Sequence, residues 1–154
     1  MIVKALSLWE PWASLMRTGA KTIETRSWYT NYRGPLLICS AKRFTAAQAA
    51  FMMGNKVQEG LAALRRNGTA LVNPSDLQPF GRALALVDLV GCHSTEALFY
   101  TVPKREKPLG DFSPDRFAWE TDNLRTFEPF PVKGSQGLFE VEVPPGLLEK
   151  GNEK

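Results

Sequence analysis

The order of apolar and polar positions predicts short strands at both ends of the chain. Ile2 to Leu8 alternates apolar residues with others, which is typical of a first strand. Leu138 to Val143 alternates apolar residues with glutamates and predicts a last strand. Ala83 to Val90 is apolar except for Asp88, as in a strand buried on both faces. Three more strands are predicted at residues 36–39, 117–120 and 124–127.

A helix is predicted directly after the first strand. Pro11 suits the first turn of a helix, because it needs no backbone N–H donor there. Trp12, Leu15 and Met16 then fall on one face, which we expect to pack into the core. Gly19 is expected to end the helix, since glycine readily adopts the left-handed conformation found at helix ends.

A helical insert is predicted in the middle of the chain. Thr45 and Gln48 have the spacing of a capping box and open an Ala-rich helix, and a second helical piece covers residues 57–66. A proline-containing loop follows at residues 73–81, and a short helix before Pro103 is one interpretation of residues 96–109. Short strands interrupted by a helical insert of about 25 residues are typical of a small barrel, closed or partly closed, with helices packed on it.

Length and composition predict one globular domain. The chain has 154 residues, of which 44% are hydrophobic, and we expect a single domain over residues 1–145 with a loose tail at 146–154. The formal charge of +3 is a mild basic bias, compatible with a polyanionic partner. Cys39 and Cys92 both lie in apolar runs and are expected to be buried free thiols.

Several classes of protein find no support in the sequence. No apolar run approaches the length of about 20 residues that a membrane span needs, and the first residues lack the basic and apolar zones of a signal peptide, so we expect a cytoplasmic protein. One histidine and two separated cysteines do not make a metal site. Glycine-rich fingerprints for dinucleotides or phosphates are missing, so no cofactor is expected.

The densest group of functional side chains follows the predicted helix stop. Lys21, Glu24 and Arg26 fall within six residues, and an extended chain from Thr22 would place Thr22, Glu24 and Arg26 on one face. Lysine and arginine can hold a phosphate or a carbonyl oxygen. Glu24 can orient a cation, accept a proton from a base amino group or act as a general base. The alternative is a surface ion network that only fixes the turn.

Three other side chains are candidates for the same site. Trp9 precedes Pro11 and can form a cleft wall on which a base stacks. Lys42 follows a buried strand and faces either this cleft or solvent. If Asp88 points inward it must be paired, with Lys21 or Arg26 as expected partners. If it lies on the outer face, it has no implication for function.

Several motifs together resemble one known family. Gly19-x-Lys21-x-x-Glu24-x-Arg26 is similar to the GxKxxExR signature of ASCH domains, which belong to the PUA-like superfamily. Residues 6–13 resemble the opening LSLWQPWA of many members, and Trp28 with residues 32–35, 131–134 and 136–139 look similar too. The resemblance implies an α+β fold with a PUA-like small β-barrel flanked by helices, and a cleft lined by the signature. It also implies binding of RNA or modified nucleosides, and some members are described as nucleases or nucleoside amidohydrolases.

The resemblance leaves two functional hypotheses. The first is a domain that binds RNA, a nucleotide or a nucleoside through Trp9, Lys21, Glu24, Arg26 and Lys42. The second is a hydrolase acting on RNA or on an acylated nucleoside such as N4-acetylcytidine, with catalytic groups Lys21, Glu24 and Asp88. Members similar to N4-acetylcytidine amidohydrolases carry a Thr three residues after the Lys, where this chain has Glu24, which weakens the second hypothesis. The sequence does not determine the oligomeric state.

Overall fold

Six strands form one mixed sheet in a computed structural model that describes residues 1–65 and 73–147. Their order across the sheet is β2-β5-β4-β3-β1-β6. Strands β1 and β3 are parallel, and the other neighbours are antiparallel. The sheet curls into a half-barrel, which confirms the predicted α+β, PUA-like small barrel. The strands span β1 Ile2–Leu8, β2 Ile23–Arg26, β3 Gly34–Ser40, β4 Arg82–Ser94, β5 Phe117–Pro131 and β6 Leu138–Glu142.

Four helices flank the sheet within the described residues: α1 Trp12–Thr18, α2 Ala46–Met52, α3 Asn55–Arg65 and α4 Thr95–Leu98. Gly19 ends α1 with a φ of 80°, as predicted, because this left-handed conformation is strained for other residues. Thr45 and Gln48 form the predicted capping box, in which each side chain accepts a hydrogen bond from the other residue's backbone N–H. None of the described helices is long and apolar enough to cross a membrane.

The apolar core lies on both faces of the sheet. One cluster includes Leu8, Ile38 and Trp119, and α1 packs into it through Met16. A second cluster on the other face includes Val3, Leu37, Leu86 and Val143. Cys39 and Cys92 are buried free thiols, as predicted, and burial raises the pKa of Cys39 to about 12. A thiol with so high a pKa stays protonated and unreactive at neutral pH.

The prediction of separate strands at residues 117–120 and 124–127 is wrong. Both segments belong to β5, which continues to Pro131. The register between β4 and β5 shifts at three places, and Asn123 has a φ of 54°. These irregularities interrupt the alternation of apolar and polar positions without ending the strand. Residue 66 of the second helical piece and residues 148–154 of the predicted tail lie outside the described residues.

The parallel pairing of β1 and β3 creates the edge that carries the candidate site. Because the two strands run in the same direction, their carboxyl ends meet at one edge of the sheet. The Ala41 N–H donates to the Leu8 carbonyl at 2.8 Å and closes the pair there. The chain leaves the sheet after each of these strands, into α1 after β1 and towards α2 after β3. The space between the two departing segments is open.

Candidate functional site

A cleft of about 690 Å³ opens at the carboxyl ends of β1 and β3. Its walls come from the end of β1, from α1 and α2, from β2 and from the segments that connect these elements. The residues that line it are Ser7, Leu8, Trp9, Trp12, Glu24, Thr25, Arg26, Trp28, Ala41, Phe51, Gly110, Asp111, Arg116, Ser135, Gln136 and Gly137. The signature segment therefore contributes its Glu and its Arg to the cleft.

Lys21 lies behind the cleft wall and does not line the cleft. Its side chain is 1% exposed, and Nζ donates hydrogen bonds to the carbonyls of Ile23 and Leu109, both at 2.9 Å. Nζ also lies 3.7 Å from Oε1 of Glu24, which in turn accepts a hydrogen bond from the Thr25 N–H at 2.8 Å. The buried ammonium is thereby compensated, and it fixes the carboxylate that faces the cleft.

Gly110 gives Lys21 the space for this position. A Cβ at residue 110 would lie 3.1 Å from Lys21 Nζ and 3.0 Å from the ring of Phe112. Both distances are too short for ordinary van der Waals contact, so only glycine fits without movement of its neighbours. The loop after Leu109 can therefore close directly over the ammonium.

Glu106 supports the cleft from behind, and the sequence did not reveal this role. Its side chain is buried, and its carboxylate accepts hydrogen bonds from Thr22 N at 2.5 Å, Ile23 N at 2.7 Å and Thr22 Oγ1 at 2.8 Å. The contact joins segments 84 residues apart and sets the start of β2. In the sequence Glu106 stands among Lys104, Arg105 and Lys107, where a charged residue usually means a solvated loop.

Two arginines line the cleft, and they differ in whether a carboxylate lies beside them. Arg116 donates to the Thr25 carbonyl at 3.1 Å, and its Nε lies 3.5 Å from Oδ2 of Asp111. Hydrogen bonds from Ser113, with a smaller contribution from Arg116, lower the pKa of Asp111 and keep it ionised. Arg26 is half-buried and pairs with no carboxylate among the described residues. Its guanidinium is thus free to bind a ligand.

Aromatic side chains form much of the apolar wall. Trp9 lines the cleft with 54% of its surface exposed. Trp12 also lines it, stacked on Phe51 at 4.7 Å between ring centres, so the prediction that Trp12 packs into the core is wrong. Helix α2 supplies Phe51 and leaves the other side of Trp12 open. Trp28 packs edge-on against the fully buried Trp119 at 4.7 Å and completes the wall.

Asp88 lies away from the cleft. Its carboxylate pairs with Arg125 Nη2 at 2.5 Å and accepts from Asn123 Nδ2 at 3.0 Å. The expected partners Lys21 and Arg26 are wrong, because the register of β4 and β5 places Asp88 beside the 122–125 segment. Lys21, Glu24 and Asp88 are therefore not brought together.

Lys42 lines a second cavity of about 360 Å³ next to the cleft. The two cavities share Ser7, Ala41, Ser135 and Gln136 as lining residues. Of the six candidate residues, the structure thus places Trp9, Glu24 and Arg26 at the cleft and Lys42 beside it. Lys21 is behind the wall and Asp88 is elsewhere.

The half-barrel and its cleft define a PUA-like domain, and comparison with known proteins names the family. The ASCH domain model matches residues 6–131, so the chain belongs to the ASCH domain family. Activating signal cointegrator 1 of Mus musculus and of Homo sapiens are each 30% identical to it over 138 residues. That match takes in 89% of this chain but 22% of each relative, so the chain spans about a fifth of their length.

Solved structures agree with this fold. The crystal structure of ASCH from Zymomonas mobilis matches with a TM-score of 0.52 at 12% identity, over 90% of this chain and 87% of that one. The crystal structure of a point mutant of the Zymomonas mobilis protein matches with a TM-score of 0.51 at 10% identity, over 90% and 89%. At such low identity the likeness concerns the fold alone.

Proposed function

We propose that the cleft binds RNA, or a nucleotide or nucleoside, by holding a base against its aromatic wall. The observation that carries the proposal is the position of three tryptophans, Trp9, Trp12 and Trp28, around the unpaired Arg26. Aromatic side chains stack on the faces of bases, and each stacked base contributes about 1–3 kcal/mol. Arg26 then contacts a phosphate or a carbonyl oxygen of the ligand through its planar fork.

Glu24 gives the proposed site a polar acceptor. A carboxylate can accept hydrogen bonds from the exocyclic amino group of a base, as carboxylates do with cytosine. The contacts of Glu24 with Lys21 and with the Thr25 N–H hold it in one place, so less freedom is lost on binding. In this proposal Lys21 acts through Glu24, and membership of the ASCH family supports a nucleic-acid ligand as an expectation.

The geometry gives less support to a hydrolase acting on RNA or on an acylated nucleoside. Of the three catalytic groups in that hypothesis, Glu24 alone lines the cleft, while Lys21 is buried and Asp88 is paired with Arg125. Glu24 is still able to act as a general base, so the hypothesis has its own test. Incubation of short RNAs and N4-acetylcytidine with excess protein, compared with Glu24→Gln, would reveal turnover that depends on Glu24.

Titration calorimetry with nucleosides, nucleotides and short single-stranded RNA tests the binding proposal. Trp9→Ala and Arg26→Ala should each weaken binding about tenfold or more, because one removes a stacking surface and the other a charged donor. Tyr100→Ala and Arg105→Ala are matched controls, since both residues are exposed and line neither cavity. Wild-type affinity in both cleft variants, with their fold intact by circular dichroism, would refute the proposal.

A further inference from the structure

The second cavity lies where three strands and one loop meet. Its walls come from the carboxyl ends of β1 and β3, from Gly81 just before β4, and from the loop over residues 132–136. Because it shares four lining residues with the cleft, a single ligand of ordinary nucleotide size can occupy both.

The two cavities differ in charge. The cleft is lined by two acids, Glu24 and Asp111, and two bases, Arg26 and Arg116, so its formal charges cancel. The second cavity is lined by Lys42 and Lys133, with no acidic residue in its described lining. Neither lysine pairs with a carboxylate in the described part of the chain. The cleft thus suits a neutral group, while the second cavity suits an anion.

Polar groups and packing complete an anion site in the second cavity. Ser7, Ser40 and Ser135 line it. The Ser40 hydroxyl is held by the Arg82 backbone, donating to its carbonyl at 3.4 Å and accepting from its N–H at 3.2 Å. The hydroxyls of Ser7 and Ser135 are able to donate hydrogen bonds to oxygen atoms of a ligand. The aliphatic stem of Lys42 lies against Gly81, where a Cβ would come within 2.8 Å of its Cγ. Gly81 also has a φ of 72°, so a larger residue is disfavoured both by strain and by contact. The stem is therefore supported along the cavity wall.

We propose that the second cavity binds the phosphate group of a ligand whose base occupies the cleft. The inference rests on the proposed function and makes it more specific: the ligand is a nucleotide, free or within an RNA strand, and not an uncharged nucleoside. Lys42 and Lys133 supply the two charges, and the hydroxyls of Ser7 and Ser135 supply neutral donors. The base and the phosphate are recognised by separate groups, so each can be removed without the other.

Calorimetry with cytidine, its 5′- and 3′-monophosphates and the corresponding adenosine compounds tests the assignment. One monophosphate should bind about tenfold or more tightly than its nucleoside, since charge-assisted hydrogen bonds are added. In the double variant Lys42→Ala/Lys133→Ala that advantage should disappear while nucleoside affinity stays within about twofold. The double variant Lys56→Ala/Lys104→Ala removes the same charge from exposed positions outside both cavities and should keep the advantage.

A short single-stranded RNA separates a strand from a free nucleotide. If the phosphate belongs to a strand, Lys42→Ala/Lys133→Ala should reduce the slope of log K against log salt by about 0.7, the value for one neutralised phosphate on a single strand. A smaller salt dependence of RNA binding in the double variant than in the wild type would indicate that the bound phosphate belongs to an RNA strand. Tight binding of a mononucleotide alone supports the free nucleotide.

Inorganic phosphate keeps this inference separate from the proposed function. Amide signals of residues 133–136 should shift on titration in NMR spectra of the wild type and not in Lys42→Ala/Lys133→Ala. Phosphate binding without any nucleoside or nucleotide binding would overturn the proposed function and leave an anion site. Equal affinity for nucleosides and their monophosphates would overturn the phosphate site alone, and no response to any of these probes would overturn both.

Discussion

Removal of the Glu106 carboxylate should destabilise the protein more than any other single change at the site. In Glu106→Ala two backbone N–H groups and the Thr22 hydroxyl lose their acceptor in a place where Glu106 is 2% exposed. An unsatisfied buried donor costs about 1–3 kcal/mol. Water that enters the space left by the side chain can accept from some of these three donors and so reduces their combined cost. We therefore expect a loss of about 3–5 kcal/mol in the free energy of unfolding. For a domain of this size that corresponds to a decrease of about 10 °C in Tm.

Glu106→Gln is the matched control for this prediction. Its carbonyl oxygen can still accept from both N–H groups, and its amide can donate to Thr22 Oγ1, so the loss should be about 1 kcal/mol. Urea denaturation followed by tryptophan fluorescence measures both variants. A double-mutant cycle with Thr22→Val should give a coupling of about 1–2 kcal/mol. A loss below about 1 kcal/mol in Glu106→Ala, or a coupling of zero, would refute the reasoning.

Three further predictions concern other positions. Gly110→Ala should lower the free energy of unfolding by about 1–3 kcal/mol, because the added methyl group presses on the Lys21 ammonium. An unchanged free energy of unfolding in urea denaturation would contradict the close packing described at this position. Glu10 is buried, and its carboxyl group accepts hydrogen bonds from the N–H and the hydroxyl of Ser14. Burial raises the pKa of Glu10, so the folded state keeps a proton that the unfolded chain releases above pH 4.5, and stability should fall as pH rises from there. Urea denaturation of Glu10→Gln should show less of this decline and equal or greater stability at about pH 8, well above the ordinary pKa of a glutamate; a steeper decline would contradict it. Asp88→Asn should cost less than about 1 kcal/mol, because its pair with Arg125 is partly exposed, and should leave nucleotide affinity unchanged by calorimetry; weaker binding would place Asp88 at the site after all.

Local signals in the sequence were sufficient for helix boundaries and for several strands. The capping box at Thr45 and the stop at Gly19 were predicted correctly, because both depend on hydrogen bonds and dihedral angles within a few residues. The first strand was predicted with its observed bounds, and the last within one residue, because alternation follows directly from the pleat. Strand β5 was predicted as two pieces, since register shifts against β4 depend on a partner strand that the local pattern does not contain.

The site could be predicted only in part. The signature pointed to Glu24 and Arg26, and both line the cleft because they lie near each other along one short strand. The positions of Lys21 and Asp88 depended on partners far along the chain: Leu109 for the first and Arg125 for the second. Such pairings are set by the topology of the sheet, and no spacing in the sequence encodes them. The same holds for Trp12, whose exposure is decided by where α2 packs.

The burial of Lys21 has a consequence for chemical labelling. An amine that is 1% exposed and bound to two carbonyls reacts with an acylating reagent only when the surrounding structure opens. The exposed Lys42 and Lys133 should be acylated at once and Lys21 last. The rate of acylation at Lys21, followed by mass spectrometry, would therefore time the opening of the segment that Glu106 holds closed. The acylation rate of the signature lysine therefore reports how often the structure around the cleft opens.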